Sequence, residues 1–151
     1  MTNSAAAPPL LTDADVLVHV EQLVGPAAVD RRLWIIWVDV DGRQAPVVVP
    51  VDDIPRHLDL SQLDGLTEVL SRLRDELTTE SGPCSVVFTL ERLGVDGVLP
   101  GDRTWATALA AACERAGTPL RGTFLTTRGG VRRLRAPGRT RSATLTTEIA
   151  G

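Results

Sequence analysis

The chain has no lysine and no tyrosine, two cysteines, two histidines, one methionine and 3% aromatic residues in 151. The missing lysine removes two kinds of chemistry at once, a Schiff-base amine and the phosphate-binding lysine of a P-loop. Cys84 and Cys113 are single and far apart, in neither C-x-x-C nor zinc spacing, so they read as small buried hydrophobes of a reducing compartment. No apolar run approaches the roughly 18 residues that a membrane span needs. Met1 to Pro9 carries neither the basic region nor the apolar core of a secretory signal. The expectation is a soluble, cytoplasmic protein without a membrane partner.

Hydrophobic residues make up 43% of the chain and charged residues 23%, ordinary values for one globular domain. All 16 cations are arginines, unevenly placed: residues 1–127 hold 10 of them against 18 acids, residues 128–151 hold six against Glu148 alone. An acidic body with a basic end is predicted.

Residues 1–11 are rich in Ala and Pro and read as a disordered lead-in, residues 12–135 as one α/β domain, and residues 136–151 as a disordered, basic, Thr-rich tail. Thr12 is a good N-cap for a helix whose apolar residues recur from Val16 to Val24. Arg32 to Val40 is apolar on both faces, Leu33, Ile35 and Trp37 on one and Trp34, Ile36 and Val38 on the other, which predicts a central strand covered on both sides. Asp41-Gly42 signals a hairpin, and the prolines of Ala45 to Val51 place the returning strand at an edge. Leu60, Leu63, Leu66, Val69, Leu70, Leu73 and Leu77 form one apolar helical stripe. A buried strand from Cys84 to Leu90, a Gly-rich loop, a helix opened by Asp102, a strand from Leu120 to Thr127 and a short strand from Val131 to Leu134 follow. The order α-β-β-α-β-α-β-β predicts a three-layer α/β/α sandwich with a mixed sheet.

Chemistry-bearing residues are sparse. Asp39-Val40-Asp41-Gly42 after an apolar strand resembles the first motif of haloacid-dehalogenase-type phosphotransferases, but Arg43 follows it and no lysine exists to serve it, so a turn explains it. His19 and His57 have no second His or Cys at ligand spacing, and Asp52-Asp53 reads as solvated surface. Glu91, Asp96 and Asp102 flank the long loop after a buried strand, where α/β proteins gather functional groups, and three carboxylates there suit a hard divalent ion. Arg128, Arg132, Arg133, Arg135, Arg139 and Arg141 form an acid-free basic segment suited to phosphate or an acidic protein, without an aromatic on which bases could stack.

In element order, residues 16–135 resemble the RadC-type branch of the JAB/MPN family. That family has H-x-H after a strand, seven residues, Ser, two residues and Asp. Glu91 and Leu93 stand at the two histidines, Gly101 after Pro100 at the Ser, and Thr104 at the Asp. Ala116-Gly117-Thr118-Pro119-Leu120 resembles the family's helix-end turn, and Arg32 to Gly42 its first hairpin, with Arg31 or Arg32 where the family keeps a Glu. A cytidine-deaminase-like order is similar, but H-x-E and P-C-x-x-C are absent and Pro83-Cys84 lacks the second Cys. The resemblance implies a metal-free relative without hydrolytic activity and with no cofactor. Three functions are expected in turn: a non-catalytic interaction module, a homodimer or a binder of another protein, touching through the edge strand at Val47 to Val49 and the Arg-rich end; a divalent-metal hydrolase using Glu91, Asp96 and Asp102; and a nucleic-acid accessory protein contacting phosphate through Arg128, Arg132, Arg133 and Arg135.

Overall fold

The computed structural model describes residues 9–134. Its elements are α1 (Asp13–Leu23), β1 (Arg32–Val38), β2 (Gln44–Asp52), α2 (Leu60–Leu77), β3 (Ser85–Glu91), α3 (Pro100–Ala116), β4 (Leu120–Thr127) and β5 (Gly130–Leu134). The five strands form one sheet in the order β2-β1-β3-β4-β5, with β3 and β4 parallel and every other pair antiparallel. The predicted element order and mixed sheet are those observed.

The two apolar faces of β1 explain the layering. Leu33, Ile35 and Trp37 join a core with Leu70 of α2 and Trp105 and Leu109 of α3. Ile36 and Val38 join a second core with Val16 and Val20 of α1, Val87 and Phe124. Trp37 is fully buried. β2 lies at the sheet edge, where its prolines are tolerated, and its pairing with β1 is irregular between Val48 and Gln44.

Local chemistry sets the ends. Thr12 accepts from the Asp15 amide at 3.1 Å, and the Asp15 carboxylate accepts from the amides of Thr12 and Leu11, each at 3.0 Å. Those two amides, Thr12 first, hold the Asp15 carboxyl below its ordinary range. The β1–β2 turn is organised by Asp39, whose Oδ1 accepts from the amides of Asp41 at 2.9 Å and Arg43 at 3.0 Å. Asp39 is therefore a turn residue. Gly42 has φ +86°, and a Cβ there would stand 3.2 Å from the Leu10 nitrogen.

Three details differ from expectation. Leu10, placed in the lead-in by its Ala/Pro-rich context, is buried, and its amide donates to the Gly42 carbonyl at 2.6 Å. Helix α3 begins at Pro100, and Asp102 lies inside its first turn. The apolar stripe of α2 is only partly covered: Leu70 is buried, but Leu60 is 79% exposed and Val69 40%. Helix α2 packs chiefly on α3 and leaves the β1–β2 side of that sheet face open. Residues 136–151 lie outside the described residues.

Candidate functional site

The carboxyl ends of β3 and β4 are the first place to look for chemistry in such a fold. Here they are closed by the protein's own groups. Arg92, directly after β3, is buried and donates through all five of its N–H groups: Nε and Nη2 to the Asp102 carboxylate at 2.9 and 2.8 Å, Nη1 to the carbonyls of Leu93 and Val95 at 3.2 and 2.7 Å, and Nη2 again to that of Gly97 at 2.8 Å. Asp102 also accepts from the Leu99 amide at 2.8 Å. Burial opposes ionisation of Asp102, but the Arg92 hydrogen bonds and the Leu99 amide outweigh it and hold the carboxyl below its ordinary range. The Asp102 hydrogen bonds raise the Arg92 guanidinium in turn.

The other two loop carboxylates have separate duties. Glu91, 3% exposed, accepts from the amides of Ala28 at 2.7 Å and Val29 at 3.1 Å, and from the Trp34 indole at 2.8 Å. It fastens the α1–β1 connection to the sheet. Asp96 accepts from the Gly129 amide at 3.2 Å and ties the loop to the β4–β5 turn. Glu91, Asp96 and Asp102 thus turn toward different protein donors. Among the described residues no three His, Cys, Asp or Glu side chains stand together as a metal site. At the positions where the RadC-type family would carry ligands, Glu91 is engaged as above, Leu93 bonds through its amide to Asp30 at 3.1 Å, and the Thr104 hydroxyl donates to the Pro100 carbonyl at 3.1 Å.

The arginines of the basic segment are divided by the pleat of β5. Arg133 lies on the α1 side, 3.4 Å from Asp13 and with its guanidinium 5.8 Å from the Phe124 ring centroid. Asp13 is bonded also to Arg121 at 2.9 Å, and that bond, with the charge of Arg133 next, lowers its carboxyl. Arg132 alternates to the opposite face and is exposed, and Arg128 is exposed at the β4–β5 turn. Arg135 lies outside the described residues.

A feature that sequence reading missed is an apolar groove of about 420 Å³ between α2 and the β1–β2 corner. Its floor is Leu33, Ile35, Val49 and Val51, and α2 contributes Gly65, Leu66 and Val69 to its wall. The size falls in the range of small-molecule and side-chain pockets. The connection from β2 to α2 closes one end and is held from two sides. Arg31 donates to the carbonyls of Ile54 at 3.4 Å and Pro55 at 2.6 Å, and accepts from the Ile54 amide at 3.0 Å. The Trp105 indole donates to the carbonyls of Pro55 at 3.1 Å and Arg56 at 3.0 Å. Arg31 and Asp53 both adopt positive φ, 65° and 56°, a conformation that costs non-glycine residues energy and marks a constrained corner. Burial, then the charge of Arg56, lowers the Arg31 guanidinium.

Gly65 stands at the edge of the groove. It sits inside α2, where glycine costs about 1 kcal/mol relative to alanine. A Cβ there would meet nothing within 4 Å. Packing does not demand the glycine, which is exposed at the edge of the groove. An isolated glycine within an amphipathic pattern was the available signal.

No protein-family model matches the chain, and no curated protein matches it.

Proposed function

We propose that this protein is a non-catalytic interaction domain that receives an apolar segment in the groove between α2 and the β1–β2 corner. The carrying observation is the groove itself: an open apolar floor of Leu33, Ile35, Val49 and Val51, edged by Leu66 and Val69 of α2 and by Gly65, a glycine that the helix does not need. The non-catalytic part rests on the carboxylates at the strand ends, each engaged by internal donors. It agrees with the metal-free relative that the RadC-type resemblance implies.

Side-chain insertion is favoured over strand addition at β2. Pro46 and Pro50 carry no N–H, and the pairing of β2 with β1 is irregular between Val48 and Gln44. Two prolines and a bulge make this edge a poor template for an incoming strand. The apolar faces of Val49 and Val51 toward the groove remain available.

The test compares Gly65→Leu with Gly65→Ala in the full chain by titration with Nile red, a neutral apolar dye. Both variants remove the glycine cost and raise the unfolding midpoint; only leucine fills the groove. Dye affinity falls at least about tenfold in Gly65→Leu and stays near wild type in Gly65→Ala. Equal affinity in all three proteins contradicts the reading.

A further inference from the structure

One wall of the groove is fastened at both ends and loose between them. We propose that residues 57–65 form a strap over one end of the groove, and that the strap opens by unwinding α2 at Gly65 to let an occupant in and out; this rests on the groove being a binding site.

The first support is where the anchors lie. Before the segment, the Trp105 indole holds the Arg56 carbonyl at 3.0 Å and Arg31 holds that of Pro55 at 2.6 Å. After it, α2 is fixed at three points. Leu70 is fully buried, Arg74 donates to the Ala116 carbonyl, and the Leu77 carbonyl accepts from the Cys84 thiol at 3.1 Å. Between these anchors only Leu58 and Leu63 are half-buried, and the other seven residues of 57–65 are exposed. Leu58, Gln62 and Gly65 of this segment line the groove. A segment with so few buried apolar contacts opens locally at low cost.

The second support is the hinge. Gly65 has the weakest helix propensity short of proline and lies inside α2, between the loose and the fixed part. Across it the Thr67 hydroxyl donates to the Leu63 carbonyl at 2.8 Å, a side-chain bond of the kind that weakens and bends helices. The tether of the strap is the ion pair of Asp64 with Arg115 at 2.6 Å, whose partners both stand in solvent, where such pairs hold weakly. The capping box of Asp59 and Gln62 joins strap residues to each other.

The test uses the full chain, with Nile red followed by stopped-flow fluorescence and amide exchange followed by NMR. A gate slows entry and exit alike. Gly65→Ala stiffens the hinge and lowers the association and dissociation rates of the dye together by about fivefold, the factor that the alanine–glycine difference in helix propensity supplies, while equilibrium affinity stays near wild type. Asp64→Asn releases the tether and raises both rates by about twofold. In the free protein the amides of Asp64 and Gly65 exchange at least about tenfold faster than those of Leu70, Ser71 and Leu73, and Gly65→Ala slows the exchange at Asp64. If Gly65→Leu weakens dye binding but Gly65→Ala moves neither rate, the groove is a site without a gate and the strap is rejected. Equal exchange protection along α2 rejects it too. A fall in association alone, with weaker binding, shows the added methyl narrowing the groove and rejects the hinge. If Gly65→Leu leaves dye binding unchanged, the groove reading fails and the strap fails with it.

Discussion

Arg92 and Asp102 form a buried pair in which every guanidinium N–H has an acceptor. Removing one partner of such a pair typically costs about 3–5 kcal/mol, because the other charge is left buried. Asp102→Asn therefore lowers stability at pH 7 by an amount of that order, read by urea unfolding. The folded-state pKa of Asp102 is depressed, so its stabilisation is complete above the unfolded carboxylate value of about 3.9 and is lost as pH falls through the lower folded value. The stability gap between wild type and Asp102→Asn closes below about pH 4; a gap that persists undiminished at pH 2 contradicts this assignment. In the sequence, Arg92 and Asp102 look like loop charges. Their burial depends on residues 93–99 wrapping the guanidinium, and no local pattern encodes that wrap.

At the scale of elements, strands were the most legible part. β1 carries apolar residues on both faces, and that pattern alone places it inside the sheet. The prolines of β2 mark an edge for an equally local reason. The lean of α2 was not legible. Its leucine stripe says which face is apolar, but how much of that face is covered depends on whether the helix settles on α3 or on the sheet. The same ambiguity hid the groove, although Gly65 stood in the pattern as an unexplained glycine. Gly65→Ala stabilises the protein by up to about 1 kcal/mol, a rise of a few degrees in midpoint for a domain of this size. In the hairpin the opposite holds: Gly42→Ala places a Cβ against the Leu10 backbone at positive φ and lowers stability by at least about 1 kcal/mol, measurable by the same unfolding curves.

For the whole molecule, the charge asymmetry seen in composition does not become one basic surface on the described residues. Arg133 is engaged with Asp13 and Phe124 on the α1 side, and Arg132 points to the other face. Reversing both to Glu in the full chain is expected to leave duplex-DNA retention at low salt unchanged and weak. Loss of a tight, steeply salt-dependent complex would instead restore the nucleic-acid reading. Among the described residues, the groove between α2 and the β1–β2 corner leaves apolar side chains of the sheet open to an occupant. Its occupancy is tested most directly by methyl NMR of the full chain during titration with Nile red. Methyl resonances of Val49, Val51, Leu66 and Val69 shift with the added dye, while those of Val16, Val20 and Val131 on the α1 side stay in place; shifts confined to the α1 side, or none at all, contradict a binding groove between α2 and the β1–β2 corner.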